Sequence, residues 1–260
     1  MLHYTTYRHP ASPEWVTFVH GAGGSSSIWY QQVRDFRQHF NVLLIDLRGH
    51  GQSSSARMPQ PALKRYSFDL ICREIMEVLD HLAIQRSHFV GISLGTILIR
   101  ELAEKHPERV QRLVMGGAVM KLNLRGQLLM RLGFLLRSMV PYLLLYKLFA
   151  FAIMPRRNHR QARNLFIREA RKLYQKEFIR WFGLTTQINP LLAFFRLTES
   201  QIPTLYVMGE EDHMFLPAVR KLVGRHATAQ LHVIPRCGHV VNVEQPVIFN
   251  KQVLGFLSQR

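Results

Sequence analysis

The chain is poor in cysteine and poor in acid. Cys72 and Cys237 are the two cysteines among 260 residues, too few for a disulfide framework. Asp and Glu number 17 against 34 Lys and Arg, a formal net charge of +17 at pH 7. A field of that sign favours acidic partners: an anionic membrane surface, an acidic carrier protein or nucleic acid. No run of roughly 18 apolar residues is free of interruption. The greasiest stretch, Leu128 to Met154, is broken by Arg131, Arg137, Pro141 and Lys147, which argues against a spanning helix. Cys and His spacings do not match a zinc site, and no glycine-rich phosphate loop ends in Lys-Ser or Lys-Thr. Met1-Leu2-His3-Tyr4 has no basic n-region leading into an apolar run, so the expectation is a reducing, cytoplasmic setting, with a peripheral membrane location kept open by the charge.

What is present is an alternation. Apolar runs at 15–20, 41–47, 87–90, 110–117, 204–209 and 230–235 read as buried strands. Between them lie helical patterns, including one capped by Ser67 with Leu70, Ile71, Ile75, Val78 and Leu79 as its stripe, one at 96–104, one at 216–225 and a closing one at 245–258. Strands alternating with helices predict an α/β fold with a mostly parallel central sheet flanked by helices. Residues 118–200 break the alternation. They read as an all-helical cap inserted after a middle strand, leaving 1–117 and 201–260 as the core. Between Val119 and Glu199 there are 15 Lys and Arg against three acids, so about +12 of the charge belongs to this cap.

Gly91-Ile92-Ser93-Leu94-Gly95 sits where the 87–90 strand gives way to a helix. A serine in that sharp turn is held at the sheet edge, and the amides that follow open a helix N-terminus toward an oxyanion. A hydroxyl becomes a nucleophile only when a base takes its proton and a carboxylate orients the base. Gly209-Glu210-Glu211-Asp212 follows one strand and Cys237-Gly238-His239 follows the last, in the order serine, acid, histidine. Asp212 can project from the first of these loops at the sheet's carboxyl edge, with Glu210 and Glu211 as alternative carboxylates.

With these pieces, His20-Gly21-Ala22-Gly23-Gly24 and the Asp46 to Ser53 turn, nearly the whole chain resembles the α/β-hydrolase fold family, its serine-nucleophile branch with a helical cap. The resemblance implies Ser93 as nucleophile, His239 as general base and then acid, and Asp212 as its orienting carboxylate. It implies an oxyanion hole from the backbone N–H groups of Ala22 and Leu94, and neither cofactor nor metal. His20 and His50 resemble structural turn residues, and His213 a loop residue. Thr96 stands where many relatives have a further glycine.

In the cap, Arg157, Arg160, Arg168 and Arg171 project within one arc of about 80°, opposite Ala162, Phe166, Ala170 and Leu173. That face reads as a solvated arginine surface, a membrane contact, or a dock for an acidic acyl carrier protein. Nucleic acid is disfavoured, since no nucleic-acid motif accompanies the charge. The apolar 128–154 stretch suggests a lid over an aliphatic acyl chain. The expected activity is therefore cofactor-independent cleavage of a carboxylic ester or thioester through an acyl-enzyme. The rivals are a carrier-linked thioesterase, a C–C bond hydrolase or lyase, and a non-catalytic ligand-binding receptor.

Overall fold

A computed structural model describes residues 1–54, 66–121, 124–136 and 140–259. The sequence reading that used Arg137 falls outside them. Seven strands form one sheet: β1 (Tyr4–Tyr7), β2 (Trp15–Val19), β3 (Asn41–Ile45), β4 (Ser87–Ile92), β5 (Val110–Gly116), β6 (Thr204–Gly209) and β7 (Ala229–Ile234). Their order is β1-β3-β2-β4-β5-β6-β7, with β1 antiparallel to β3 and every other pairing parallel. The first strand was not anticipated from the sequence. It is an edge strand, half-buried throughout, and its YTTY carries no continuous apolar run.

The inner strands are buried on both sides, and their alternation divides the core between the two faces. On one face Val19 and Phe89 pack with Ile71, Leu98 and Val219. These come from α2 (Phe68–His81), α3 (Leu94–Lys105) and α9 (Leu216–Val223). On the other, Phe18 and Val90 pack with Trp29, Phe36, Phe249 and Val253, on or beside α1 (Tyr30–Phe36) and α11 (Pro246–Leu257). Ser67 caps α2 by accepting from the Leu70 amide at 3.1 Å. The expected closing helix is α11, opened by Pro246; a separate short helix not expected from the sequence, α10 (Val241–Glu244), ends at Gln245 just before it.

Among the described residues five helices lie between β5 and β6: α4 (Leu124–Leu136), α5 (Tyr142–Ile153), α6 (Arg160–Ala170), α7 (Gln175–Gly183) and α8 (Thr185–Leu197). Met154, Ile188 and Phe195 of this insertion share a hydrophobic cluster with Ile97 of α3 and Met115 of β5. Tyr146, Ala170, Leu173 and Phe178 form a smaller cluster of their own. Polar tethers fasten it down: Ser25 Oγ donates to Glu169 at 2.8 Å and Trp181 Nε1 to the Arg48 carbonyl at 2.9 Å, while within it Arg196 donates to the Met120 carbonyl at 2.6 Å. The arginine helix is shorter than its sequence pattern. Arg157 precedes α6 and Arg171 caps its end, yet all four expected arginines are exposed. Arg163, outside that arc, is buried and donates to the carbonyls of Met154 and Arg156. Among the described residues no helix is long and apolar enough to cross a membrane.

Three buried histidines bear on pH. Leu47 N donates to His20 Nε2 at 3.0 Å, and His20 Nδ1 lies 2.7 Å from the Gly21 carbonyl. Gly23 N donates to His50 Nε2 at 3.0 Å, and His50 Nδ1 lies 3.0 Å from the Arg48 carbonyl. Both rings therefore carry their proton on Nδ1, and together they lace the loop after β2 to the loop after β3. Neither ring nitrogen of His88 has a hydrogen-bond partner among the described residues. Burial, reinforced by His20, lowers His50 to about 3; burial, reinforced by Arg112 and Arg86, lowers His88 to about 4. A folded-state pKa below the unfolded one means that the unfolded chain takes up protons first. Stability is then intact above about pH 6.5 and falls as pH drops toward the folded values. Each of these two histidines is expected to cost about 2 kcal/mol between pH 7 and pH 5. Denaturant unfolding across that range measures it, and His88→Leu should flatten the dependence by roughly one proton.

Candidate active site

Ser93 occupies the single residue between β4 and α3, at φ 53° and ψ −120°. A side chain at positive φ is strained by about 1–3 kcal/mol and persists only where its surroundings enforce it. Here the enforcement is backbone. Ser93 N donates to the Gly116 carbonyl at 3.0 Å, while Thr96 donates to the Ser93 carbonyl through both N (2.9 Å) and Oγ1 (2.6 Å). Thr96 is fully buried, so its hydroxyl replaces the freedom of a glycine with an extra bond closing the turn. At Gly95 a Cβ would strike the carbonyl oxygens of Val19 and His20, and at Gly91 one would strike the backbone of Gly95. The helix thus starts against β2 itself, two residues earlier than the sequence pattern suggested.

His239 Nε2 stands 2.9 Å from Ser93 Oγ, and His239 Nδ1 stands 2.8 Å from Asp212 Oδ2. The three side chains arrive from the ends of β4, β6 and β7, separated by up to 146 residues along the chain. Asp212 is fully buried, and its other oxygen accepts the Phe215 amide at 3.2 Å. With Asp212 Oδ2 as acceptor, Nδ1 of His239 carries the proton and Nε2 faces the serine hydroxyl. The Phe215 ring lies 5.0 Å from the imidazole.

The neighbouring carboxylates are occupied elsewhere. Glu210 accepts the exposed Arg236 amide at 3.3 Å. Glu211 turns toward the insertion, meeting Arg156 at 2.6 Å, His159 Nε2 at 2.7 Å and Asn158 at 2.8 Å. Of the three consecutive acids, Asp212 is the one brought to His239. Glu244 was not anticipated. Its carboxylate accepts the amides of Gly238 (2.8 Å) and Val240 (3.1 Å), on either side of His239. Burial pushes its pKa up, opposed by those two amides and by His159. His159, fully buried, sits 3.9 Å from Glu244 while bonding Glu211. One histidine of the insertion therefore touches the loops that carry Asp212 and His239. It lies amid arginines 52 residues from Glu211, a distance over which no local pattern signals a contact.

Leu94 is the first residue of α3, where an amide has no intrahelical acceptor. Ala22 sits in the loop after β2, held by Gly24 N to the Gly21 carbonyl (3.1 Å) and by Gly23 N to His50. A Cβ at Gly21 would come within 3.1 Å of the Ser93 Cβ, so this loop runs directly beside the serine. Ala22, Ser93 and Leu94 line one cavity of about 270 Å³ whose other walls include Leu145, Phe149, Ile153 and Phe178 from the insertion. His50, Tyr146 and Trp181 are its polar-tipped members; the described lining residues include no Lys, Arg, Asp or Glu.

A family model described as the alpha/beta hydrolase fold matches residues 14–246. The chain belongs to the alpha/beta hydrolase fold family. Its relatives differ in reaction. It is 27% identical, over 96% of this chain and 92% of the relative, to a Bacillus subtilis (strain 168) protein named putative 2-succinyl-6-hydroxy-2,4-cyclohexadiene-1-carboxylate synthase. It is 30% identical, over 94% of this chain and 88% of the relative, to the 2-hydroxy-6-oxo-6-phenylhexa-2,4-dienoate hydrolase of Burkholderia cepacia. The solved enol-lactonase from Burkholderia xenovorans LB400 superposes with a TM-score of 0.80 at 20% identity, covering 99% of this chain and 96% of that one.

Within this family architecture, Gly95 is the position where the turn tolerates least. Gly95→Ala is expected to destabilise by about 2–3 kcal/mol through overpacking against backbone that cannot rotate away, measured by urea unfolding. Unchanged stability would mean that β2 and α3 do not meet so closely.

Proposed function

We propose that the protein is a cofactor-independent serine hydrolase that cleaves a carboxylic ester or thioester with an uncharged, aliphatic acyl group. The observation that carries the reading is the relay of 2.8 Å and 2.9 Å contacts from Asp212 through His239 to Ser93 at the floor of an apolar cavity. His239 Nε2 takes the hydroxyl proton as Ser93 Oγ bonds to the acyl carbon. The carbonyl oxygen becomes an oxyanion facing the Leu94 and Ala22 amides at the positive end of α3. Asp212 stays ionised and holds the imidazolium. Collapse of the tetrahedral intermediate breaks the bond to the leaving oxygen or sulfur, which receives the proton from His239. Water enters, gives a proton to His239 and attacks the acyl-enzyme; a second collapse returns that proton to Ser93 Oγ and releases the acid.

The wall chemistry supports an uncharged acyl group over the acids named for two of the relatives. Two of those names, a dienoate and a carboxylate, denote substrate or product acids. A carboxylate entering this cavity would be desolvated with no cation among the described lining residues to meet it. An alkyl chain meets Leu, Ile and Phe, each buried CH₂ contributing about 0.8 kcal/mol.

Ser93→Ala should lower turnover by about 10⁴-fold or more while leaving the unfolding transition in place. A fluorophosphonate should label the wild type at Ser93 and leave the variant unlabelled. Wild-type turnover in the variant would refute the nucleophile assignment, and failure of the probe to label would favour a ligand-binding role. Across p-nitrophenyl esters and acyl-thioesters, kcat/KM should rise from acetyl to octanoyl by about tenfold or more, and a succinyl half-ester should be poor. A preference for acetyl would overturn the aliphatic assignment without touching the mechanism.

A further inference from the structure

The insertion has an outer surface that its packing does not explain. On α4, Leu128, Leu132 and Leu135 fall at i, i+4 and i+7; on α5, Leu144, Leu148 and Phe151 repeat the same spacing. Each spacing puts three large side chains on one helix face. A core-facing stripe of this kind is ordinarily covered. These six side chains instead keep between 46% and 70% of their surface exposed. Exposed apolar stripes of that kind mark contact with a partner or a membrane.

Two members of the stripes, Leu132 and Leu148, also line the cavity that contains Ser93. The exposed face and the pocket wall are thus continuous through the same side chains, so whatever covers the face borders the route to the serine.

The charge around the face has one sign. No Asp or Glu occurs between Glu108 and Glu169, a span that contains all of α4 and α5. Arg131 beside Leu132 is exposed and Lys147 beside Leu148 is half-exposed. Beyond them stand the exposed Arg157, Arg160 and Arg171. A hydrophobic face flanked by cations, on helices too short to span a bilayer, is the composition of an interfacial contact. Each cation near an anionic leaflet adds about 1 kcal/mol, and the apolar face adds the term that salt does not screen. An acidic carrier protein would use the cations but would leave six exposed apolar side chains uncovered around its charged contact.

We propose that the α4–α5 face docks on an anionic lipid bilayer and that acyl substrates reach Ser93 from the lipid phase past Leu132 and Leu148. The binding surface stands by itself; the delivery of an acyl ester rests on the hydrolase reading above. The test uses the full chain carrying Ser93→Ala, so that lipid is not consumed, sedimented with phosphatidylcholine vesicles with and without phosphatidylglycerol. Binding should require phosphatidylglycerol and should weaken about tenfold or more between ~0.1 M and ~0.5 M NaCl. Leu135→Gln with Leu144→Gln, or Arg131→Gln with Lys147→Gln, should each weaken it about tenfold. In the Ser93 background the two leucine substitutions should leave hydrolysis of a water-soluble short-chain ester unchanged, since neither residue lines the cavity. No binding to anionic vesicles, binding insensitive to both pairs, or binding of acyl carrier protein in place of vesicles would each overturn the proposal. Loss of ester hydrolysis with retained vesicle binding would instead count against the hydrolase reading alone.

Discussion

The site depends on backbone meeting backbone with no side chain between. Gly95 places the first turn of α3 against the carbonyls of Val19 and His20, and Gly209 lets the loop after β6 touch the carbonyl of Gly238 in the loop after β7. The first contact forces Ser93 into positive φ and holds it there; the second closes the gap between Asp212 and His239. Strain of this size at a serine can be sustained only because many buried groups share it, from the Gly116 carbonyl to the Thr96 hydroxyl.

A second layer of constraint comes from outside the sheet. Glu244 grips the amides on both sides of His239, and Glu211 grips the insertion one residue before Asp212. His159 lies between the two glutamates. The insertion is therefore not merely laid over the cavity. It shares hydrogen bonds with the loops that hold two of the three relay residues, so its docking and the relay geometry are mechanically linked. Tyr146 plays a related part against the other loop, its ring filling the space where Gly23 has no side chain, beside the Ala22 amide.

Much of this was legible in the chain because it rests on local rules. Buried parallel strands announce themselves as continuous apolar runs, and a serine between glycines at a strand's end announces a turn. What stayed hidden lacked a local signature. β1 is an edge strand, half-buried at every residue, with no apolar run. Among three adjacent acids the family resemblance singled out Asp212, but the partners of Glu210 and Glu211, the Arg236 amide and the insertion, are set by the path of the loop and have no sequence signal. The α6 pattern marked its exposed arginines correctly but not its ends, because Arg157 and Arg171 continue a periodicity that the backbone does not follow. Arg163 was invisible as a buried residue: its guanidinium is satisfied by the Met154 and Arg156 carbonyls, which no helical projection reveals.

Electrostatics and shape assign the charge to the outside of the molecule. The cavity beside Ser93 presents no Lys, Arg, Asp or Glu among its described walls, so none of the surplus cations lies against an acyl group once it is inside. Nor does it stabilise the fold, since the cations of the insertion greatly outnumber its acids, and the buried acids Glu169 and Glu177 are already paired with Lys172 and Arg180. A surplus of exposed like charge raises the free energy of the compact state. It becomes favourable where counter-charge is dense, and the exposed apolar side chains beside those cations are what the proposed contact with anionic lipid would cover. The catalytic reading and the surface reading thus draw on different residues. Either can fail without the other, yet Leu132 and Leu148 belong to both.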